Sequence, residues 1–281
     1  MVSRKSQKKK QIEMITASVV TYNTGVEELK GCLENLNHKL IERVYVIDNS
    51  QKKYIEDICQ DFSYVVYCAS KNVGYGAAHN IAIRETLKTK SRYHLVVNSD
   101  ICFEKSVIDR LCSYMEENND VAQVQPKIVY PNGELQYSCR LLPTPLNLIF
   151  RRFLPKSIIG KMDDKYLLKC CDHSKEMDIP YHQGSFMLFR TECFNKVGLF
   201  DERFFMYPED IDITRRMHKH FKTMYYPCVT VIHHHRAESY KSRKMLKIHI
   251  INMIRYFNKW GWFFDKERRA WNKQILKDYK Q

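Results

Sequence analysis

The first hundred residues alternate between short apolar runs and stretches with helical spacing. Ala17–Asn23 is apolar and closes on polar residues, which predicts a buried strand. Val26, Leu29, Leu33 and Leu36 repeat at helical spacing through Asn37. Arg43–Asp48, Tyr64–Cys68 and His94–Asp100 read as further strands, with helices expected over 53–61 and Tyr75–Leu87. Strands alternating with helices of this length predict a mostly parallel, right-handed α/β sheet.

Beyond Asp100 the alternation weakens. A helix is expected over 103–117, then a strand from Val121 to Tyr130 interrupted at Pro126. A turn over Pro131–Glu134 leads to a returning strand, Leu135–Cys139. Residues 141–180 show no period and carry Pro143, Pro145, Pro155, Pro180 and the basic Phe150–Phe153 segment. An irregular stretch of this length in a domain is functional or mobile. A strand over Gln183–Phe189, a helix after Pro208 and a strand from Tyr225 to Ile232 follow. An aromatic, basic helical region runs from Ser239 to the end. The domain reading is a basic tail over 1–14, one α/β domain over 15–240 and a helical extension over 241–281.

Composition changes this picture little: 44 % hydrophobic and 28 % charged residues fit a globular chain and exclude wholesale disorder. Charge changes it more. The net charge is +14, and the excess sits at the ends. Residues 241–281 alone carry twelve Lys or Arg against Asp265, Glu267 and Asp278. Basic ends suit nucleic acid, an anionic membrane surface or a phosphorylated ligand. Ten cysteines without a C-x-x-C pair, several inside apolar runs, read as free thiols in a reducing cytoplasm. No signal peptide opens the chain, and no apolar stretch reaches the length of a membrane span.

Polar clusters recur at the carboxyl ends of three of these four strands: Thr21–Asn23, Asp48–Ser50 and Asn98–Asp100. An open α/β sheet binds its ligand at that edge. Asn98 and Asp100 are i and i+2 and point the same way, which suits a hard cation already carrying a diphosphate. Asn72–Asn80 opens a helix with Gly74 and Gly76, offering close backbone approach and free N–H groups to an anion. Tyr207–Asp212 places Glu209, Asp210 and Asp212 in the first turn of a helix. Carboxylates there complement the helix dipole, and one of them also suits a general base. Asp212 and Arg216, four apart, are expected to form a structural ion pair. In Ile232–Arg236 at most two of the three histidines share a face, and a His completing a diphosphate-bound Mg²⁺ or Mn²⁺ shell fits better than structural zinc.

Together these motifs resemble family-2 glycosyltransferases of the GT-A fold, in the bacterial rhamnosyltransferase-like branch. The resemblance rests on Val19–Asn23, Val46–Ser50, Asn72–Gly76 with Asn80, Asn98–Asp100, Gly184–Ser185, Phe205–Asp212 with Arg216, and Val231–His233, in order from about residue 15 to 240. It implies a Rossmann-like nucleotide-binding α/β/α sandwich with a mixed sheet and a C-terminal helical extension. It further implies that Thr21, Tyr22, Asn23 and Asp48 hold the base and ribose of a nucleotide. Asn72, Gly74 and Asn80 lie along nucleotide and sugar, and Asn98 with Asp100 stands where the family has D-x-D. Asp100 and His233 bind the cation, Asp210 is the catalytic base, and Gly184, Ser185 and Glu209 border the acceptor. Two departures are visible: Asn98 replaces the first Asp, and Pro208 precedes the acidic pair.

The implied activity is inverting transfer of a sugar, rhamnose from dTDP-rhamnose foremost, with a UDP-sugar as the other donor type. The acceptor is a saccharide or a polyprenyl-diphosphate-linked saccharide of a cell-surface polysaccharide. A divalent cation is the expected cofactor, and a cytoplasmic site on the inner face of the membrane the expected location. Residues 241–264 are read both as a helix docked on the domain and as a surface for anionic lipid. Two rival readings are a basic nucleic-acid-binding protein and an inactive sugar-nucleotide-binding relative. The aromatics do not interleave as a nucleic-acid platform, and Asp100 and Asp210 are both present.

Overall fold

The computed structural model describes residues 14–148, 156–234 and 243–280. The expected alternation is present: β1 (Ile15–Thr21), α1 (Val26–Leu36), β2 (Ile41–Asp48), α2 (Lys53–Gln60), β3 (Val65–Ala69), α3 (Tyr75–Thr86) and β4 (Tyr93–Val97). The next elements are β5 (Ile101–Cys102), α4 (Ser106–Glu117), β6 (Val121–Val129), α5 (Pro145–Leu148), α6 (Lys156–Tyr166), β7 (Met177–Asp178) and β8 (Phe186–Arg190). The chain closes with α7 (Phe194–Val197), α8 (Glu209–His218), β9 (Lys222–His233), α9 (Arg243–Trp260) and α10 (Lys266–Tyr279).

The strands form one mixed sheet in the order β3-β2-β1-β4-β8-β6-β9-β5, with β7 on β9. The half from β3 to β4 is parallel, whereas β8 runs antiparallel to both β4 and β6. Leu29 and Leu33 of α1, Ile55 of α2 and Leu111 of α4 pack with Ala17, Val19 and Leu95 on one face. Ile83 of α3 and Ile213 and Met217 of α8 pack with Val96, Met187 and Phe189 on the other. Helices therefore cover both faces, as a sheet with buried parallel strands requires.

Three expectations change. Pro126 does not interrupt β6. Instead the pairing with β9 slips there, from Pro126 opposite Tyr226 to Lys127 opposite Thr230, and the strand continues to Val129. The returning strand over Leu135–Cys139 is reduced to isolated bridges, Val129 with Leu135 and Cys139 with His182. The stretch 141–180 is not irregular throughout: it holds α5, α6 and β7. Leu141, Leu142, Tyr166, Leu168, Ile179 and Tyr181 lie in a second core with Tyr256, Phe257 and Ile275 of the last two helices. That order is tertiary, so no local period announces it. The Phe150–Phe153 segment and the basic residues before Met14 lie outside the described residues.

The C-terminal helices are bound by buried charge. Arg215 of α8 makes a two-pronged pair with Asp265, 2.6 and 2.7 Å, and lies 4.0 Å from the centre of the Trp260 ring. Asp265 also caps α10 by accepting the Arg268 N–H at 2.9 Å. The fully buried Asp212 accepts from Arg216 at 2.8 Å, Lys259 at 2.6 Å and Trp260 Nε1 at 2.8 Å. The expected ion pair with Arg216 is present within this larger cluster. Trp260 and Trp262 are therefore committed to packing, the latter 5.3 Å from the Phe257 ring. What stays outside is Phe263 at 63 % and Phe264 at 86 % exposure. All ten cysteines are free thiols.

Removing one partner of a buried pair strands the other charge, at a cost of about 3–5 kcal/mol. Asp265→Ala is expected to destabilise the chain by that amount and to expose Trp260 and Trp271. Urea unfolding followed by tryptophan emission measures both.

Candidate functional site

The site lies where the parallel half of the sheet meets the antiparallel half. β4 ends at Val97, paired with Phe186, and the Asn98 N–H donates to the Ser185 carbonyl at 2.9 Å. Both strand ends thus meet at one edge. After Asp100 the two residues of β5 pair with the end of β9, Ile101 opposite His233. That pairing puts Asp100 Oδ1 3.3 Å from His233 Nε2. The pair expected to hold a cation is therefore brought together by main-chain register. Gln136 of the loop after β6 contacts the same histidine through both Nδ1 and its carbonyl oxygen. His235 and Arg236 lie outside the described residues.

Asp210 sits in the first turn of α8 and is 8 % exposed. Its Oδ2 accepts the Gly184 N–H at 3.0 Å and its Oδ1 the Ile211 N–H at 2.7 Å. Burial pushes its carboxyl up to about 7, against the pull of those two N–H groups and the charge of Arg140. Glu209 beside it is pushed well above the carboxylate range by burial and by Asp210. Each Asp210 oxygen keeps a lone pair for an incoming proton. The turn before the acids is strained. Tyr207 has φ 97°, a region non-glycine residues avoid, and its ring rests 5.0 Å from His249 of α9. Asn252 of α9 donates to the Met206 carbonyl at 3.0 Å, so the docked helix holds the turn that carries the acids.

One tyrosine links the two ends of the site. The Tyr75 hydroxyl lies 2.7 Å from Asn98 Oδ1 and 2.7 Å from the Gly184 carbonyl. Burial and the nearby Glu209, Asp210 and Asp100 push its hydroxyl far above its ordinary pKa, so it is a fixed neutral donor. Its ring meets His79 edge-on at 4.4 Å. His79 joins a buried chain through Ser18 (2.7 Å) to His94 (2.8 Å), which meets Thr16 and Thr86. Burial lowers both imidazoles, to about 3 at His94, so the chain is uncharged at neutral pH.

The remaining expected residues divide by exposure. Tyr22, 60 % exposed, Asn23 and Asn72 face solvent at the strand ends. Thr21 and Asp48 are fully buried, and the Asp48 carboxylate is spent within the protein. It accepts from Ser50 N and Oγ, Lys52 N, Tyr67 and Thr21. Asp48 shapes the turn after β2. Asn80 is also buried. Its carboxamide donates to the Phe200 carbonyl and to Glu202 and accepts from the Phe200 N–H, so it anchors the 200–202 segment instead of lining the cleft. Gly74 is needed for close approach: φ is 97°, and a Cβ there would lie 2.3 Å from the Phe205 carbonyl oxygen. Gly184 is needed likewise, since a Cβ would crowd Asp210 Cβ at 3.2 Å. The buried Ser185 hydroxyl and Glu209 Oε2 make no hydrogen bond among the described residues.

Among the described residues no three His, Cys, Asp or Glu side chains converge on one point. Asp100 and His233 are two, a number that suits a cation arriving with a diphosphate. An oxygen and a ring nitrogen 3.3 Å apart are also the donor set such a cation takes. Gln136 and Arg140 stand in no motif, and Tyr75 stands within Asn72–Gly76 without a role expected for its own side chain.

The raised Asp210 carboxyl has a consequence for stability. Below about pH 4 the group is protonated in both folded and unfolded chain. From there to about pH 7 the unfolded chain ionises while the folded one keeps its proton, so stability falls as pH rises. Asp210→Asn removes that loss. Its melting midpoint is expected to gain on wild type as pH rises from about 4 to about 7; a constant gap across calorimetric scans contradicts the buried-carboxyl account.

Comparison with known proteins fits this geometry. The sequence model described as Glycosyl transferase family 2 matches residues 16–198. Rhamnosyltransferase WbbL of Escherichia coli K12 is 28 % identical over 253 residues, 85 % of this chain and 91 % of that one. The N-acetylglucosaminyl-diphospho-decaprenol L-rhamnosyltransferase of Mycobacterium tuberculosis (strain CDC 1551 / Oshkosh) is 28 % identical over 176 residues, 58 % of this chain and 56 % of that one. Among solved structures, GalNAc-T7 with UDP, GalNAc and Mn²⁺ superposes with a TM-score of 0.63 at 14 % identity, covering 96 % of this chain and 55 % of that one. The mannosyltransferase PcManGT of Pyrobaculum calidifontis with GDP-Man and Mn²⁺ gives 0.57 at 14 %, covering 94 % and 74 %. At such identity the structural likeness speaks for the fold, GT-A. The family match spans more than half of the chain, and with the fold and the site at the strand ends it makes this protein a member of glycosyl transferase family 2.

Proposed function

We propose that this glycosyltransferase moves rhamnose, with inversion, from dTDP-rhamnose to a saccharide carried on a polyprenyl diphosphate. The observation that carries the reading is Asp210, a buried carboxyl poised near pH 7 and tied through Gly184 and Tyr75 to the Asn98–Asp100 edge. A base with that pKa is matched to taking a proton from a sugar hydroxyl at neutral pH. The choice of rhamnose follows the names of the relatives WbbL and the mycobacterial enzyme, both rhamnosyltransferases. The lipid carrier follows the decaprenol in the latter's name.

In this reading Asp100 and His233 hold Mg²⁺ or Mn²⁺ together with the donor diphosphate. Bound there, such a cation would supply positive charge to offset that gained by the leaving diphosphate. Gly74 lets the main chain approach the donor, and Tyr22, Asn23 and Asn72 border the nucleotide. Asp210 accepts the acceptor hydroxyl proton while the oxygen bonds to the anomeric carbon. The bond from that carbon to the diphosphate breaks, and its electron pair leaves with the nucleotide. Glu209 and Ser185, buried beside Asp210, border the acceptor.

Asp210→Asn is expected to leave donor affinity unchanged and lower kcat by orders of magnitude. In wild type, kcat/KM rises with pH to a plateau above about 7, because the base works deprotonated. Transfer by the variant within about threefold of wild type removes Asp210 from the mechanism.

A lipid-linked acceptor also requires the enzyme at the bilayer. Among the described residues no helix is long and apolar enough to cross a membrane. Attachment would be peripheral, on the cytoplasmic face. Ile251 and Ile254 on the outward side of α9, with Phe263 and Phe264, are the apolar contacts it would use. Trp260 and Trp262 are excluded from that role by their packing. Wild type is expected to float with anionic liposomes at low salt and to sink at high salt. Replacing Ile251, Ile254, Phe263 and Phe264 by Ser abolishes flotation without changing the melting midpoint. A wild type that stays at the bottom of the low-salt gradient ends the attachment idea.

A further inference from the structure

Arg190 and Arg140 are both withdrawn from water, and neither forms an ion pair with an acid among the described residues. They differ in what they hold instead. Arg190 fills its guanidinium with main-chain oxygens, those of Val121 at 3.0 Å, Met115 at 2.6 Å and Asn118 at 3.1 Å. Arg140, half-buried beyond the loop that follows β6, has no such set. Its Nε donates to the Tyr137 carbonyl at 2.7 Å. Its guanidinium carbon lies 5.7 Å from the centre of the Tyr181 ring and 5.9 Å from that of Tyr166. Phenols do not answer a positive charge: burial and Asp210 push Tyr181 well above its ordinary value and keep it neutral. A charge taken out of water without a counter-ion is costly, so the position suits an anion brought by a ligand. The planar fork of an arginine matches phosphate oxygens two at a time.

The segment that carries Arg140 adjoins the base. Residues 138–140 run antiparallel to 181–183 around the bridge between Cys139 and His182. The Arg140 N–H donates to the Tyr181 carbonyl at 3.0 Å, and the Gln183 N–H to the Ser138 carbonyl at 2.8 Å. Ser138 and Arg140, two apart on an extended segment, project to the same face. The buried Ser138 hydroxyl makes no hydrogen bond among the described residues and is a second donor on that face. One residue past Gln183, the Gly184 N–H holds Asp210. The charge of Arg140 reaches Asp210 through space, although the two form no ion pair. In an inverting displacement the base and the departing diphosphate lie on opposite faces of the anomeric carbon. A phosphate held beside the base is therefore carried by the acceptor.

We propose that Arg140, with Ser138 beside it, is an acceptor-side phosphate site whose guanidinium takes the diphosphate joining the acceptor sugar to its lipid. The proposal rests on the reading that the acceptor is a saccharide on a polyprenyl diphosphate. A base on a ring hydroxyl and a fork on the diphosphate then grip one sugar from two sides. The sugar that reacts is the one attached directly to the diphosphate.

The test compares transfer from dTDP-rhamnose to two acceptors that differ only in the diphosphate: farnesyl diphospho-N-acetylglucosamine and farnesyl N-acetylglucosaminide. Removing the Arg140 charge also raises Asp210, which slows both reactions alike, so the readout is the ratio of the two kcat/KM values. Wild type is expected to favour the diphosphate acceptor. Arg140→Gln is expected to lower that ratio about 10–100-fold, chiefly through KM. Arg140→Lys keeps the charge beside Asp210 but loses the fork, and its ratio is expected to fall between the two. An unchanged ratio in Arg140→Gln overturns the proposal, as does an unchanged ratio in Arg140→Lys if the glutamine variant does not fold. Calorimetry with farnesyl diphosphate, at saturating dTDP and Mg²⁺, tests the site without any acceptor sugar. Arg140→Gln is expected to bind it about 10–100-fold more weakly than wild type; equal affinity overturns the proposal. Affinity for dTDP should be the same in both proteins, and a loss there would put Arg140 on the donor and overturn the proposal too. If farnesyl diphosphate binding depends on Arg140 but wild type transfers to neither acceptor, the phosphate site stands and the acceptor reading falls.

Discussion

The site depends on the main chain of one glycine. The N–H of Gly184 holds Asp210, and its carbonyl holds Tyr75, which reaches Asn98. Asp210 and the Asn98–Asp100 edge are therefore joined through one residue just before β8. No side chain fits at 184 without pushing Asp210 away. The antiparallel pairing of β8 with β4 delivers that connector, so the one strand reversal beside the parallel half creates the site.

The docked C-terminal helices belong to the same machinery. Asp212 is two residues from Asp210 and would by itself add negative charge beside it. Arg216, Lys259 and the Trp260 indole answer that charge within hydrogen-bonding distance. Asn252 and His249 then steady the strained turn at Met206 and Tyr207. A helix pair that reads from composition as a basic, aromatic tail is thus part of the frame that carries Asp210.

Much of this was legible in the sequence, for identifiable reasons. The parallel half announces itself because each strand and helix is specified by a local period, and the polar residues close each strand where a ligand binds. Asp100, His233 and Asp210 stand in short motifs, and the fold places them at one edge. Asn80 and Asp48 sit in equally clear motifs, yet their side chains turn inward to hold loops; spacing cannot tell a clamp from a contact. Gln136 and Tyr75 act through distant partners, 97 positions away for Gln136 and His233 and 109 for Tyr75 and Gly184. Nothing local marks such pairs. The stretch 141–180 was opaque for the same reason, because its order is borrowed from α9 and α10.

The slip between β6 and β9 separates two mechanical units. Before it, Val124 to Pro126 lie opposite Met224 to Tyr226; after it, Lys127 to Val129 lie opposite Thr230 to Ile232. The three residues 227–229 that the slip absorbs act as a spacer. They set how far the last residues of β9 advance toward the edge, independently of the register that the rest of the sheet imposes. A chain that lengthened or shortened this bulge would slide His233 along Asp100 while leaving the parallel half and the Asp210 turn in place. The distance by which His233 reaches past Asp100 is in that sense an adjustable dimension of the fold, set by three residues of a bulge.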